Sequence, residues 1–274
     1  MNIDFDTLQQ VAVSASKEAG EIIMTHFKGD VQVKTKQGMS SYAAQVVTEV
    51  DKACEKVILK QLKPISKTYD IAILSEETED DGSRLVKPYF WCIDPMDGTL
   101  AFIEKREGFS VSIGLVSQDG VPVLGVVYDP VSNTVYTAQR GKGAHKNGVP
   151  IVVEKKNDFL TYVSDKKRDY HELPERIENE LRTVLNRSKL DSWVVLSGGG
   201  SVINAIKVLE HRPALMFKFP KKEKGGGSLW DYAATACIFH ELGLNATDFK
   251  GAPLDLNRSD SLFMNHNGVW FSNV

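Results

Sequence analysis

Apolar residues recur along this chain with two periods, and the switch between them outlines the fold. Near the start, Leu8, Val11, Ala15, Ala19, Ile22 and Ile23 share one helical face, with Asp6 or Thr7 as the candidate cap and Gly29 beyond the end. A second stripe, Val50, Cys54, Val57, Ile58 and Leu62, predicts a helix from about Val47 to Leu62, with Pro64 after it. Strand signals follow. Short apolar runs at Ile71 to Leu74 and Tyr89 to Ile93 predict buried strands. Phe109, Val111, Ile113 and Leu115 alternate with Ser110, Ser112 and Gly114, a period-two face. Gln118-Asp119-Gly120 predicts a turn before strands at Val121 to Tyr128 and Thr134 to Ala138. The succession predicts an antiparallel or mixed sheet laid against the paired helices.

A composition shift between Ile151 and Asp158 marks the expected boundary between two halves, 1–152 and 153–274. Beyond it, strand and helix alternate: Leu160 to Val163, Pro174 to Leu185, Trp193 to Leu196, Ser201 to Glu210, and Ala214 to Phe219. Leu173, Ile177, Leu181 and Leu185 repeat every four residues, and the charges between them read as a solvated face. A last helix starts at Trp230 and ends at Gly243, and short strands close the chain. Periodicity alone gives a mixed α/β protein with one midpoint.

Composition narrows the function classes. The 274 residues are 42 % hydrophobic and 25 % charged, as in an ordinary globular protein, and suffice for a substantial core. A formal net charge of −3 gives no general attraction for a nucleic-acid polymer or an anionic membrane. An anionic substrate would therefore need metal ions or a local lysine cluster. Cys54, Cys92 and Cys237 form no C-x-x-C pair and read as buried thiols in a reducing compartment. The residues from Met1 to Asp6 lack the basic and apolar regions of a signal peptide, and no apolar stretch is long enough to span a bilayer. The cytoplasm is the expected location, and a homodimer is left open.

Chemistry concentrates in Asp94-Pro95-Met96-Asp97-Gly98-Thr99. The strand is expected to end at Ile93, Pro95 forces a turn, and Asp97 returns beside Asp94. Gly98 permits the tight geometry, and Thr99 opens a short helix whose amides can meet an anion. Two carboxylates about 4 Å apart repel by about 4 kcal/mol at an effective dielectric near 20, which suits a hard cation such as Mg²⁺ between them. By itself the segment is also an ordinary capped turn. Three further segments place acids at element edges: Ser75-Glu76-Glu77, Val46-Val47-Thr48-Glu49-Val50-Asp51, and Trp230-Asp231-Tyr232-Ala233-Ala234.

In that order the four segments resemble the lithium-sensitive, Mg²⁺-dependent phosphatases of the inositol monophosphatase superfamily, over nearly the whole chain. Leu74-Ser75-Glu76-Glu77, Phe102-Ile103 after Thr99, and Val123 to Pro130 are most similar to 3'(2'),5'-bisphosphate nucleotidases of the CysQ type. Inositol monophosphatases usually read Gly-Glu-Glu, with Asn-Phe-x-His-Gly after Gly-Thr; neither is present. The resemblance implies a five-layer α-β-α-β-α sandwich with the site at the seam between halves. It implies two or three Mg²⁺ ions on Glu76, Asp94, Asp97, Asp231 and the Met96 carbonyl, with Glu76 also catalytic and Asp94 a bridge between ions. Asp51 and Thr99 form the expected activating pair, the Thr99 hydroxyl donating to Asp51 and accepting from the attacking water. Glu77 is expected to support the ligands.

The expected substrate is a small phosphate ester. Glu76, Met96, Asp97, Gly98, Thr99 and Asp231 would hold its reacting end. Gly199, Gly200 and Ser201 would admit an anion or ribose, unless the glycines are merely a flexible turn. Lys218, Lys221, Lys222 and Lys224 are either a solvated loop or a counter-charge for a second phosphate. The expected reaction converts adenosine 3',5'-bisphosphate to AMP and phosphate. Inositol monophosphatase is the alternative, followed by fructose-1,6-bisphosphatase and a non-catalytic phospho-ligand sensor. A haloacid-dehalogenase-type phosphatase fits less well, because its Asp-x-Asp-Gly-Thr sets the acids two apart, whereas here they are three apart around Pro95. Direct attack by water, without a phosphoenzyme, follows. No P-loop, zinc-protease helix or nucleophile elbow is present.

Overall fold

A computed structural model describes residues 3–29, 39–154, 157–164 and 173–274, with only the helical backbone for 39–48. Helix α1 spans Phe5–Lys28 and is capped by Asp4, not by Asp6 or Thr7 as expected. The Asp4 Oδ1 accepts the amides of Asp6 at 3.1 Å and Thr7 at 3.2 Å, satisfying two donors of the first turn. Leu8, Ala12, Ala15, Ala19 and Ile23 are buried along one stripe. Helix α2 spans Met39–Tyr69 and runs through Pro64, where the sequence pattern places a stop. Proline costs the helix one N–H donor. The apolar stripe nevertheless continues past it, with Ile65 and Tyr69 packed on the same core. Asp51 therefore lies inside a helix and not at its edge, and the side chains of Val46, Val47 and Thr48 lie outside the described residues.

Among the described residues, seven strands form the first sheet: β1 (Ile71–Ser75), β2 (Tyr89–Asp97), β3 (Ser110–Ser117), β4 (Pro122–Asp129), β5 (Thr134–Gln139), β6 (Ala144–Lys146) and β7 (Val149–Pro150). They lie in sequence order, β1 parallel to β2 and every later pair antiparallel. A short helix, α3 (Thr99–Ile103), leaves the end of β2. After residue 157 come β8 (Leu160–Ser164), α4 (Glu175–Ser188), β9 (Trp193–Ser197), α5 (Ser201–Glu210), β10 (Ala214–Lys218), α6 (Leu229–Glu241), β11 (Asn245–Thr247) and β12 (Val269–Ser272). These five strands form a second sheet in the order β11-β12-β10-β8-β9.

Strand alternation sorts the core into layers. Along β2, Trp91 and Ile93 face α1 and α2, while Phe90 and Cys92 face α5 and α6. Along β10, Ala214 and Met216 face α5 and α6, whereas Leu215 and Phe217 face α4 with Leu181, Val184 and Leu185. The result is the expected five-layer α-β-α-β-α stack. Helix α6 lies in the middle layer and is apolar nearly all round, as a helix between two sheets must be. It sits unusually close to the first sheet. Gly114 and Gly125 pair across β3 and β4, and a Cβ on Gly125 would collide with the Ala234 carbonyl. That approach sets the height at which Asp231, near the start of α6, faces the end of β2. Among the described residues, no helix is long and apolar enough to cross a membrane.

Candidate active site

The expected strand end at Ile93 is corrected: β2 continues to Asp97 through a bulge. Asp94 pairs with Ser112 and Asp97 with Ser110, so the β2 side carries one extra residue. Pro95 falls in that irregular stretch, where a missing N–H costs no ladder bond. The bulge aims both carboxylates into the middle layer, where Asp94 is 1 % and Asp97 7 % exposed. The Met96 amide donates to Asp94 Oδ1 at 3.0 Å. Glu76 follows β1, and its amide donates to the Ile93 carbonyl at 3.1 Å. Two acids thus leave the C-terminal ends of adjacent parallel strands, the usual place for a ligand in a parallel sheet. Asp231 enters from the other half as the third residue of α6. Its Oδ2 accepts the Ser228 amide at 2.5 Å in a capping box.

Asp94, Asp97 and Asp231 bring one oxygen each within 4.8 Å of one another. Glu76 joins them through a hydrogen bond with Asp94, and Asp51 approaches from α2 closely enough to act on Asp94. Burial opposes the charged form of these acids, and mutual repulsion adds to it. Asp94 is held well above the usual carboxylate range by burial, then by Glu76, Asp97, Asp231 and Asp51. Asp97 is raised to about 8 by burial and Asp231, and Asp51 to about 8 by burial, Glu77 and Glu76. Glu76 keeps contact with solvent, and partial burial and then Asp231 raise it to about 7. Asp231 is raised by burial and pulled back by Lys218. Carboxylates that cannot all ionise unaided, with oxygens at chelating separation, form a donor set suited to hard divalent cations.

Asp97 has a second role that the sequence did not reveal. Its two oxygens accept the amides of Ser201 at 3.0 Å and Val202 at 2.9 Å, so it caps α5 from across the seam. Gly200 is required there, since a Cβ on it would collide with the Asp97 carboxylate. The Gly200 amide donates to the Gly108 carbonyl at 2.8 Å. The Gly200 and Ser201 amides are thus already bonded within the protein. Gly198 and Gly199 remain half-exposed beside them.

The Thr99 hydroxyl donates to the Met96 carbonyl at 3.3 Å rather than to Asp51, a bond reaching three residues back at the start of α3. Gly98 precedes it with φ of 89°. Glu77 is half-buried and raised by burial and by Glu55. Glu55 is a buried acid of α2 that accepts the Thr78 hydroxyl at 3.0 Å. Its spacing from Asp51, one helical turn on the same face, was the available signal. Of the four lysines, Lys221, Lys222 and Lys224 are exposed, whereas Lys218 donates to Ser201 Oγ at 2.9 Å.

Comparison with known proteins agrees with this architecture. The chain is 33 % identical over 251 residues to inositol monophosphatase 3 of Solanum lycopersicum, covering 90 % of this chain and 87 % of the relative. It is 31 % identical over 264 residues to an inositol monophosphatase of Mesembryanthemum crystallinum, covering 93 % and 90 %. In fold it matches the crystal structure of CysQ from Bacteroides thetaiotaomicron, a bacterial member of the inositol monophosphatase family, with a TM-score of 0.77, 24 % identity and full coverage of both chains. Because the sequence profile of the inositol monophosphatase family spans residues 4–271, the chain belongs to that family, whose members are metal-dependent phosphoric monoester hydrolases.

Proposed function

We propose that the chain is a Mg²⁺-dependent phosphomonoesterase that removes the 3'-phosphate of adenosine 3',5'-bisphosphate, giving AMP and phosphate by direct attack of water. The observation that carries the metal-dependent reaction is the convergence of Asp94, Asp97 and Asp231, from both halves of the chain, within 4.8 Å. Glu76, Asp94, Asp97, Asp231 and the Met96 carbonyl would hold the ions, which when bound neutralise phosphoryl charge and make water acidic enough to attack near neutral pH. Thr99 and Asp51 would orient that water and take its proton. Asp51 suits the task by position, since α2 brings it close enough to act on Glu76 and Asp94. Gly98 and Thr99 would place the phosphoryl group. Halves 1–152 and 153–274 divide the work, the first supplying most ligands and the second Asp231 and the outer part of the substrate site.

The nucleotide substrate rests on Ser75-Glu76-Glu77, on Phe102-Ile103, and on the absence of Asn-Phe-x-His-Gly after Thr99. One observation favours a second reading: the Solanum and Mesembryanthemum relatives above are inositol monophosphatases. A cytoplasmic location and a homodimer belong to the proposal. Phosphate release from adenosine 3',5'-bisphosphate, inositol 1-phosphate and fructose 1,6-bisphosphate, with Mg²⁺ and with EDTA, tests it. The expected result is Mg²⁺-dependent release, fastest from the nucleotide and inhibited by millimolar Li⁺. Preference for inositol 1-phosphate selects the second reading, and release unaffected by EDTA removes the metal.

A further inference from the structure

Asp51 and Glu76 ride on two different elements, and their spacing depends on how those elements are held together. Asp51 sits on α2, one helical turn from Glu55 and on the same face. Glu76 sits in the turn from Ser75 to Thr78 at the exit of β1. The chain joins α2 to β1 at Asp70, at the other end of β1, about 16 Å from that turn. The covalent connection is therefore a hinge, and it does not fix the spacing at Glu76. Backbone bonds hold the turn to the sheet and to itself. The Glu76 amide donates to the Ile93 carbonyl of β2 at 3.1 Å, and the Thr78 amide closes on the Ser75 carbonyl at 3.3 Å. The link to α2 comes from side chains: the Thr78 hydroxyl donates to Glu55 Oε1 at 3.0 Å.

On the helix side the same stretch is well anchored. Val50, Cys54 and Ile58 are buried in the core between the helices and the first sheet, and the Cys54 thiol donates to the Ala19 carbonyl of α1 at 3.5 Å. Asp51 and Glu55 are buried with them. Asp51 is close enough to Glu76 and Glu77 for their charges to act on it, so the spacing of helix and turn is the spacing of these acids. Burying a carboxylate opposes stability, which points to alignment as what the Glu55 bond provides. Groups that orient metal ligands change affinity or activity by about 10–100-fold when removed.

We infer that Glu55 and Thr78 are positioning residues for the reaction: their hydrogen bond clasps α2 to the exit of β1 and sets the distance from Asp51 to Glu76. The inference rests on the phosphatase reading and adds to it a pair that touches neither substrate nor ions. The bond does this rather than the charge of Glu55, so a neutral acceptor at position 55 serves equally.

The test compares Thr78→Val, which deletes the hydroxyl of an exposed residue and disturbs little packing, with Thr78→Ser and Glu55→Gln, which keep a donor and an acceptor. Glu55→Met combined with Thr78→Val removes both partners and leaves no buried carboxylate unpaired. Phosphate release is measured on whichever of adenosine 3',5'-bisphosphate and inositol 1-phosphate the wild type turns over faster. Thr78→Val and the double variant are expected to lower kcat about tenfold, with KM within about twofold of wild type. Mg²⁺ affinity from calorimetry, which needs no turnover, should fall about threefold or more in both. Thr78→Ser and Glu55→Gln should stay within about twofold of wild type in every readout. A double variant that melts lower in EDTA but keeps wild-type kcat and Mg²⁺ affinity overturns the inference and leaves the bond a structural one. If the double variant does not fold, Thr78→Val decides on the same readouts. A Glu55→Gln variant as impaired as Thr78→Val also overturns it, because charge would then be what matters. No release by the wild type from either ester overturns the phosphatase reading, and the calorimetric series then decides the clasp.

Discussion

Each oxygen of Asp97 accepts a main-chain N–H from the start of α5, while one also faces Asp94 and Asp231 within chelating reach. Asp97→Asn removes the charge and leaves one acceptor for two donors. Half of the cap is then lost, worth about 1 kcal/mol and a fall of a few degrees in Tm. Loss of an ion-holding charge is far larger in the transition state, so kcat should fall by about 10²-fold or more. Phosphate release beside a thermal melt separates the two effects, and near-wild-type turnover would remove Asp97 from the ligand set. Thr99 gives a sharper contrast. Thr99→Ala deletes the hydroxyl and should cut kcat by about 10²-fold with little change in KM, whereas Thr99→Ser keeps it and should stay within a few-fold of wild type. Equal kcat in the alanine variant would show that its bond to the Met96 carbonyl is all the hydroxyl does.

Elements convert these side chains into a site through close backbone approach. Helix α6 reaches the first sheet because Gly114 and Gly125 leave room for Ala233 and Ala234. Gly125→Ala puts a methyl group against the Ala234 carbonyl and should cost about 1–3 kcal/mol by overpacking. Because Asp231 rides on the same helix, kcat measured well below the melting temperature should also fall. A destabilised variant with wild-type kcat would show that α6 tilts without moving Asp231. Much of this scaffold was legible in the sequence, since the stripes of α1 and α4 and the alternation of β3 come from local periodicity. The Asp94–Thr99 segment and Asp231 were legible because turn residues and acids mark element ends. Pro64 misled because a helix already packed on a core tolerates the loss of one donor. The Asp97 cap on α5 and the Lys218–Ser201 bond join residues 104 and 17 positions apart, and no local pattern announces such pairs.

At the scale of the whole molecule, gathering acids from both halves makes stability depend on pH and on divalent cations together. Asp51 and Asp97, with ordinary values of 3.8, are raised to about 8 in the fold, and Asp94 is also held well above its ordinary value. Below pH 4 both folded and unfolded chains hold these protons, so the groups contribute no slope. Between about 4 and 8 the unfolded chain has released them while the folded chain keeps them. The native state then binds more protons, and stability must fall as pH rises, by up to about 1.4 kcal/mol per pH unit for each group. The fall from Asp51 and Asp97 ends above pH 8, once the folded state has released those protons too. In EDTA, Tm should therefore be several degrees lower at pH 8 than at pH 5.5. Mg²⁺ should raise Tm more at pH 8, where fewer protons compete with it for the carboxylates. Asp97→Asn removes one of the groups and should flatten both trends relative to wild type, which separates this site from other titrating residues. A Tm in EDTA that is flat from pH 5.5 to 8, or a Mg²⁺ increment equal at both ends, would mean that the buried acids are balanced within the protein and do not call for cations.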